Sequence, residues 1–293
     1  MNASRFVNAE IDSQPETWAQ AAASADAFAA LLPARGQKVA VVGCGTSWFI
    51  AQCYAVLREQ SGHGVTDAFV ASEFPGVRDY DAVIAITRSG TTTEVIDLLQ
   101  AIGELPSTVI TGDQASPAGK VASSVIELAF ADEKSVVQTR FATTALIALR
   151  AALGEDVAAV IEDARAALQI GVDDLVGAEQ VTFVGTGWAV GLALEAGLKS
   201  REAAQLWTEA YPAMDYRHGP IAIAQPGRLV WSFGVLPEGL DTDIAATGAR
   251  LVRHELDPLA ALIVAQRFAV AEAEARGLNP DQPRSLTRSV ILS

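Results

Sequence analysis

Three ionisable residues on one stretch have the spacing to move a proton. In "LEAGLKSREAA", Glu195, Lys199 and Glu202 stand at i, i+4 and i+7, which places them on one face of a helix. A solvated, salt-bridged stripe would carry the same pattern. The residues around these three, however, are apolar on most sides, as in a helix covered by another layer. A carboxylate partly removed from water there has a raised pKa suited to proton transfer near neutrality, and a neighbouring ammonium limits the rise. Downstream, "RHGP" sets His218 before Gly219 and Pro220. The proline constrains the turn, and the imidazole titrates in the physiological range. A polar surface histidine is the plainer reading of the same residue.

A second stretch has the chemistry of an anion cradle. "AITRSGTTTEV" follows an apolar run and opens a helical pattern, gathering Thr87, Ser89, Thr91, Thr92 and Thr93 around Gly90. Free N–H groups at a helix start, the positive end of its dipole and several short hydroxyls together suit a phosphate dianion. Arg88 could add a bidentate donor. Capping alone would account for one or two of these hydroxyls, and the stretch holds more than capping requires. Thr46 and Ser47 in "GCGTSW" end another apolar run and are expected to face the same crevice.

These residues need a scaffold, and the chain repeats one. "VAVVGCGTSWF" and "VTFVGTGWAVG" each read as strand, Gly-x-Gly turn and helix. Trp48 and Val190 occupy the place of the third glycine of a dinucleotide fingerprint, which argues against a nicotinamide cofactor. Further apolar runs at 68–71, 82–87, 108–111 and 125–129 alternate with helical patterns such as 92–102, so parallel strands joined by crossover helices are expected. Helices are predicted at 139–153 and 156–170, a strand in "RLVWSFGV" and a longer helix over 259–276. The predicted fold is α/β, two doubly wound parallel-sheet, flavodoxin-like domains in tandem: residues 1–172 with the phosphate loop, and a smaller domain, 173–293, with the catalytic helix and a polar tail.

Half of the 293 residues are apolar, enough for sizeable cores, and the formal charge of −14 removes the attraction that nucleic acid or an anionic membrane would need. The N-terminal stretch lacks the basic and apolar regions of a secretory signal, and no run is long enough to span a membrane, so a cytoplasmic protein is expected. Cys44 and Cys53 fit buried thiols better than a disulfide framework, and His63, His218 and His254 are too scattered for metal-ligand spacing. No metal and no cofactor are expected.

The motifs "EIDSQP", "GCGTS", "TRSGTTTE", "EKSVVQTRFATT", "LEAGLKSRE…TEAY…RHGP" and "DQPRSLTRSV" together resemble the tandem sugar-isomerase (SIS) family, including the isomerase half of glucosamine-6-phosphate synthase and stand-alone GlmS-like hexosamine-6-phosphate deaminases and isomerases. The resemblance covers nearly the whole chain. It implies that the hydroxyls of Thr46, Ser47, Thr87, Ser89 and Thr92 hold a sugar phosphate, with Arg88 where a glutamine is usual. It also implies that Glu202 carries the proton between C1 and C2, that Lys199 stands near the reacting oxygens, and that Thr139 lines the sugar. His218 would open the sugar ring from the partner subunit, so a homodimer with shared active sites is implied. Aldose–ketose exchange needs one base, one acid for the ring oxygen and donors for enolate-like charge, and these three residues fill those roles.

Arg288 departs from the family, whose tail carries a lysine there that forms an imine with fructose 6-phosphate in the synthase. Arginine stays protonated and cannot do so. The chain also opens directly on the isomerase portion, so glutamine-dependent synthesis is not expected. Arg288 is read equally as steering an anion or as pinning the tail. The expected function is a phosphosugar isomerase or amino-sugar-6-phosphate deaminase, the alternative a non-catalytic phosphosugar sensor. The lack of a DNA-binding segment weakens the alternative.

Overall fold

The computed structural model describes residues 5–76 and 78–292; Met1 to Ser4 of the N-terminal stretch, Val77 and Ser293 of the tail lie outside the described residues. Three helices, α1 (Arg5–Asp12), α2 (Gln14–Ala23) and α3 (Ala25–Ala29), precede β1 (Val39–Gly43). The chain then alternates through α4 (Thr46–Gln60), β2 (Thr66–Val70), β3 (Ala82–Ile86), α5 (Thr93–Ala101), β4 (Ser107–Thr111), α6 (Pro117–Val121) and β5 (Ser124–Glu127), before α7 (Arg140–Ala152) and α8 (Ala158–Ala167). The expected strands and helices of this half are all present.

The five strands form one all-parallel sheet in the order β2-β1-β3-β4-β5, a doubly wound order. Every residue of β1, β3 and β4 is buried, which explains their continuous apolar runs: both faces are covered. Ala40, Val42, Val83, Ala85 and Val109 pack on one face with Val95, Leu98 and Leu99 of α5 and Ala118 of α6. The alternate residues Val41, Ile84, Ile86 and Ile110, equally buried, turn to the other face, against which α4 packs, itself backed by α7. The Trp18 indole of α2 is fully buried, and its N–H donates to Thr143 Oγ1 of α7 at 3.0 Å, so this large apolar group brings no unpaired donor with it.

The second sheet, also all parallel, is built from β6 (Gln180–Gly185), α9 (Val190–Ala204), β7 (Thr208–Pro212), β8 (Arg228–Phe233), α10 (Leu240–Thr247), β9 (Arg250–Val252) and α11 (Pro258–Ala275), with strand order β7-β6-β8-β9. Phe183, Trp231 and Phe233 cluster on one face, Trp231 reaching Phe268 of α11 at 5.6 Å between ring centroids. Val184 and Val230 pack with Leu240 and Ile244 of α10 on the other. The stretch from Leu198 to Pro220, which carries Lys199, Glu202 and His218, runs through helix, strand and 3₁₀ turn. Helix α9 ends at Ala204, Gln205 takes a left-handed conformation (φ 52°), and "TEAYP" becomes the edge strand β7, whose last residue, Pro212, is tolerated at a sheet edge.

By their contacts the residues of the chain fall into two compact units. One unit takes in α1, Lys134–Val137 and Ala159–Leu286; the other takes in Ser13–Glu133, Gln138–Ala158 and the tail from Thr287. Specific polar contacts explain the interleaving. The Asp281 carboxylate accepts the N–H groups of Phe6 and Val7 at 2.9 and 2.8 Å, fixing α1 to the second unit. Asp163 of α8 accepts the Asp257 N–H at 2.7 Å, and Arg267 of α11 donates to the carbonyls of Ala167 and Ile170, so α8 belongs with the second sheet.

Candidate functional site

Neighbouring strands β1 and β3 leave the first sheet side by side, with Val42 opposite Ala85, at the point where the strand order reverses. Open α/β sheets take ligands at the carboxyl ends of such strands. This topology brings Thr46 and Ser47, in the first turn of α4, to the same end of the sheet as Thr87, Ser89 and Thr92. A Cβ on Gly43 would lie 2.6 Å from the Ser47 main-chain carbon, so the first glycine of Gly-x-Gly seats the helix closely on its strand.

The loop from Thr87 to Thr92 is held at its base and its centre. Thr87 N donates to Ile110 O (3.0 Å), Gly112 N to Arg88 O (3.0 Å) and Ala118 N to Gly90 O (2.9 Å). The N–H groups of Ser89, Gly90 and Thr92 have no acceptor among the described residues. Thr92 is the N-cap of α5, yet its hydroxyl makes no capping hydrogen bond, so it is free for another acceptor. Three open N–H groups at a helix start, with Thr87 and Ser89 hydroxyls beside them, are chemically suited to an anion. Gly90 has φ +62°, and a Cβ there would run into the Ser116 side chain. Gly90→Ala is expected to lower stability by about 1–3 kcal/mol and to abolish inorganic phosphate binding. Thermal denaturation and calorimetric titration check this, and a variant that binds phosphate as the native chain does would show that the loop shape is dispensable.

Arg88, Thr139 and Arg288 are occupied with protein groups. Arg88 Nη1 pairs with Glu133 Oε2 at 3.3 Å, both side chains buried, and Arg88 Nη2 donates to the Arg288 carbonyl at 3.3 Å. Thr139 is buried, its hydroxyl donating to Glu133 Oε1 at 2.8 Å. The Arg288 guanidinium donates to the Glu133 carbonyl and pairs with the Asp132 carboxylate, which ties the tail down. Glu133 was not singled out from sequence. Its partners lie on three separate segments, and no motif links an acid to a loop 45 residues earlier.

In the other unit, α9 brings Glu195, Lys199 and Glu202 together as their spacing requires. Lys199 and Glu195 are almost fully buried, with Nζ 3.6 Å from Glu195 Oε1 and 2.5 Å from Glu202 Oε2. The Glu202 side chain is 20% exposed and lines a cavity of about 650 Å³, with Leu198, Arg201, Trp207, Glu209 and Arg284 among its other walls. Its second carboxylate oxygen accepts no hydrogen bond among the described residues. The face is therefore a proton-accepting oxygen at a cavity wall, backed by a buried ammonium. His218 is not joined to this group: it ends a 3₁₀ turn (Asp215–His218), is exposed and has no hydrogen-bond or ion-pair partner among the described residues. Trp207, 74% exposed in the cavity wall, carried no sequence signal beyond its type.

Cys44 and Cys53 are thiols and form no disulfide. Burial, with the Glu94 charge second, pushes the Cys44 thiol up to about 11 from the usual 9.0. Near neutral pH the nucleophilic thiolate is therefore scarce. Alkylation of Cys44 is expected to be slow there, to rise steeply only in strong alkali, and to quicken in Glu94→Gln. Rapid stoichiometric labelling at neutral pH would contradict this assignment. Among the described residues no cluster of His, Cys, Asp and Glu is arranged to hold a metal ion, and no helix is long and apolar enough to cross a membrane.

The fold of the chain has solved counterparts. The fold is similar to the crystal structure of glucosamine-6-phosphate deaminase from Thermotoga maritima (TM-score 0.82, 23% identity, 98% of this chain and 99% of that one). It is also similar to tagatose-6-phosphate ketose/aldose isomerase from Escherichia coli (TM-score 0.78, 19% identity, 96% of each chain). At these identities the likeness establishes the fold. No protein-family model matches the chain. In sequence the chain is similar to glutamine–fructose-6-phosphate aminotransferase [isomerizing] of Sulfurisphaera tokodaii, 26% identical over 300 residues, covering 87% of this chain and 50% of that protein. The Pyrobaculum aerophilum protein of the same name is 27% identical over 349 residues, covering 98% and 57%. The chain spans about half the length of the curated relatives it matches.

Proposed function

We propose that this protein is a phosphosugar aldose–ketose isomerase or an amino-sugar-6-phosphate deaminase, built from two sugar-isomerase units. The observation that carries this reading is the open carboxylate oxygen of Glu202, presented at a cavity wall by a buried ion pair on α9. Thr46, Ser47, Thr87, Ser89 and Thr92 hold the sugar phosphate. Glu202 takes the proton from C2 of the open-chain aldose and returns it to C1, while the Lys199 ammonium steadies the negative oxygen formed between the two steps. In the deaminase case the same transfer turns the C2 amine into an imine, and water hydrolyses it to the ketose and ammonia. The base, the acid and the charge donor are all protein side chains, so the reaction needs no metal or cofactor.

His218 opens the sugar ring. Its exposure suits delivery to a second copy of the chain, in a cytoplasmic homodimer with shared active sites. The reaction does not use glutamine, because Arg288 cannot form the imine that ammonia transfer would require and is engaged with Asp132 and Glu133. Incubating the protein with hexose and hexosamine 6-phosphates in deuterated water tests the reading. Deuterium appearing in the sugar, or released ammonia, supports an enzyme. Tight binding without exchange across the panel would identify a phosphosugar sensor instead.

A further inference from the structure

The loop, the start of α7 and the tail converge on one carboxylate that the reaction itself does not use. Glu133 is fully buried. Its Oε1 accepts the N–H groups of Thr139 and Arg140 at 2.6 and 2.9 Å and the Thr139 hydroxyl at 2.8 Å, satisfying the first turn of α7. Its Oε2 holds Arg88, whose carbonyl is in turn fixed by Gly112 N and by Thr111 Oγ1 at 3.3 Å. The tail is tied into the same arrangement. Arg88 donates to the Arg288 carbonyl, Arg288 donates to the Glu133 carbonyl, Thr91 Oγ1 donates to Ser289 Oγ at 2.9 Å, and Thr93 N donates to Val290 O at 3.2 Å.

We propose that Glu133 is the positioning residue of the anion seat, fixing the base of the loop through Arg88 and the tail through Arg88 and its own main-chain carbonyl. This rests on the reading of Thr87–Thr92 as a phosphate seat. In this arrangement Arg88 acts as a clamp, its buried guanidinium directed at Glu133 and at the Arg288 carbonyl. Phosphate is left to the N–H groups of Ser89, Gly90 and Thr92 and to the hydroxyls. A glutamine cannot substitute for the glutamate. One oxygen faces a cation and the other faces three donors, so an amide NH₂ would oppose a donor whichever way it turned.

The test is calorimetric titration of inorganic phosphate into the native chain and Glu133→Gln, with steady-state kinetics on the sugar phosphate that the native chain turns over. The variant is expected to raise the phosphate Kd and the KM about tenfold, the equivalent of one lost charge-assisted hydrogen bond, with kcat held within about twofold. Hydrogen exchange at 288–292 is expected to quicken. Since Arg88 buried alone is costly, Arg88→Met combined with Glu133→Gln removes both charges and keeps an amide oxygen for α7. It should match Glu133→Gln in Kd, because the two residues act as one. A merely structural role would lower the melting temperature without dividing KM from kcat. Unchanged Kd in Glu133→Gln, or loss of phosphate binding in Arg88→Met with tail exchange unaltered, overturns the proposal. No phosphate binding by the native chain would instead overturn the reading of the loop itself.

Discussion

Glu202→Gln is expected to lower kcat by about 10²–10⁴ while leaving phosphate binding intact, the range lost when a positioned general base is removed. The change is nearly isosteric. The amide oxygen can still accept from the Lys199 ammonium, which lies 2.5 Å from Glu202 Oε2 in the native protein. The amide cannot take a proton from carbon, so binding and chemistry separate in this variant. The readout is deuterium incorporation from solvent into the sugar, measured beside the phosphate Kd. Exchange persisting at the native rate would remove Glu202 from the reaction and leave the cavity on α9 without its proposed purpose.

The second large effect is on stability. Lys199→Met is expected to cost about 3–5 kcal/mol, the usual penalty for stranding a buried charge. Lys199 and Glu195 each have side chains only 1% exposed, and the ammonium stands between the carboxylates of Glu195 and Glu202. Glu202 reaches a cavity and can be hydrated; Glu195, packed within α9, cannot. Lys199→Met combined with Glu195→Leu should recover much of the loss, since removing a buried pair together is far less harmful than breaking it. Denaturant unfolding of both variants checks this. A single variant within about 1 kcal/mol of the native chain would mean that the pair is not under the electrostatic constraint described.

What could be read from sequence was what is local. Strand β3, its hydroxyl-rich loop and α5 are contiguous, so an apolar run, a glycine and a helix start announce this strand–loop–helix unit directly. The face of α9 was legible because helical spacing fixes which residues meet. Strand β7 was not, since Gln205 ends α9 in a left-handed turn without the glycine that usually marks one, and "TEAYP" has a strand's environment only once β6 lies beside it. The joining of distant segments was hidden for a similar reason: Asp281 holding the start of α1 and Asp163 holding the Asp257 N–H are polar contacts between residues far apart in the chain. Glu133 and the clamped orientation of Arg288 also depend on partners far away along the chain.

Thr93 on α5 is tied to a segment 199 positions later, through the hydrogen bond from the Leu292 N–H to its hydroxyl. During translation the loop is therefore exposed on the ribosome without these contacts until residue 292 has emerged. Its amides must remain solvated over that interval, so the ligand end of this sheet is completed only after the segment at 288–292 joins it, whatever order its strands assemble in.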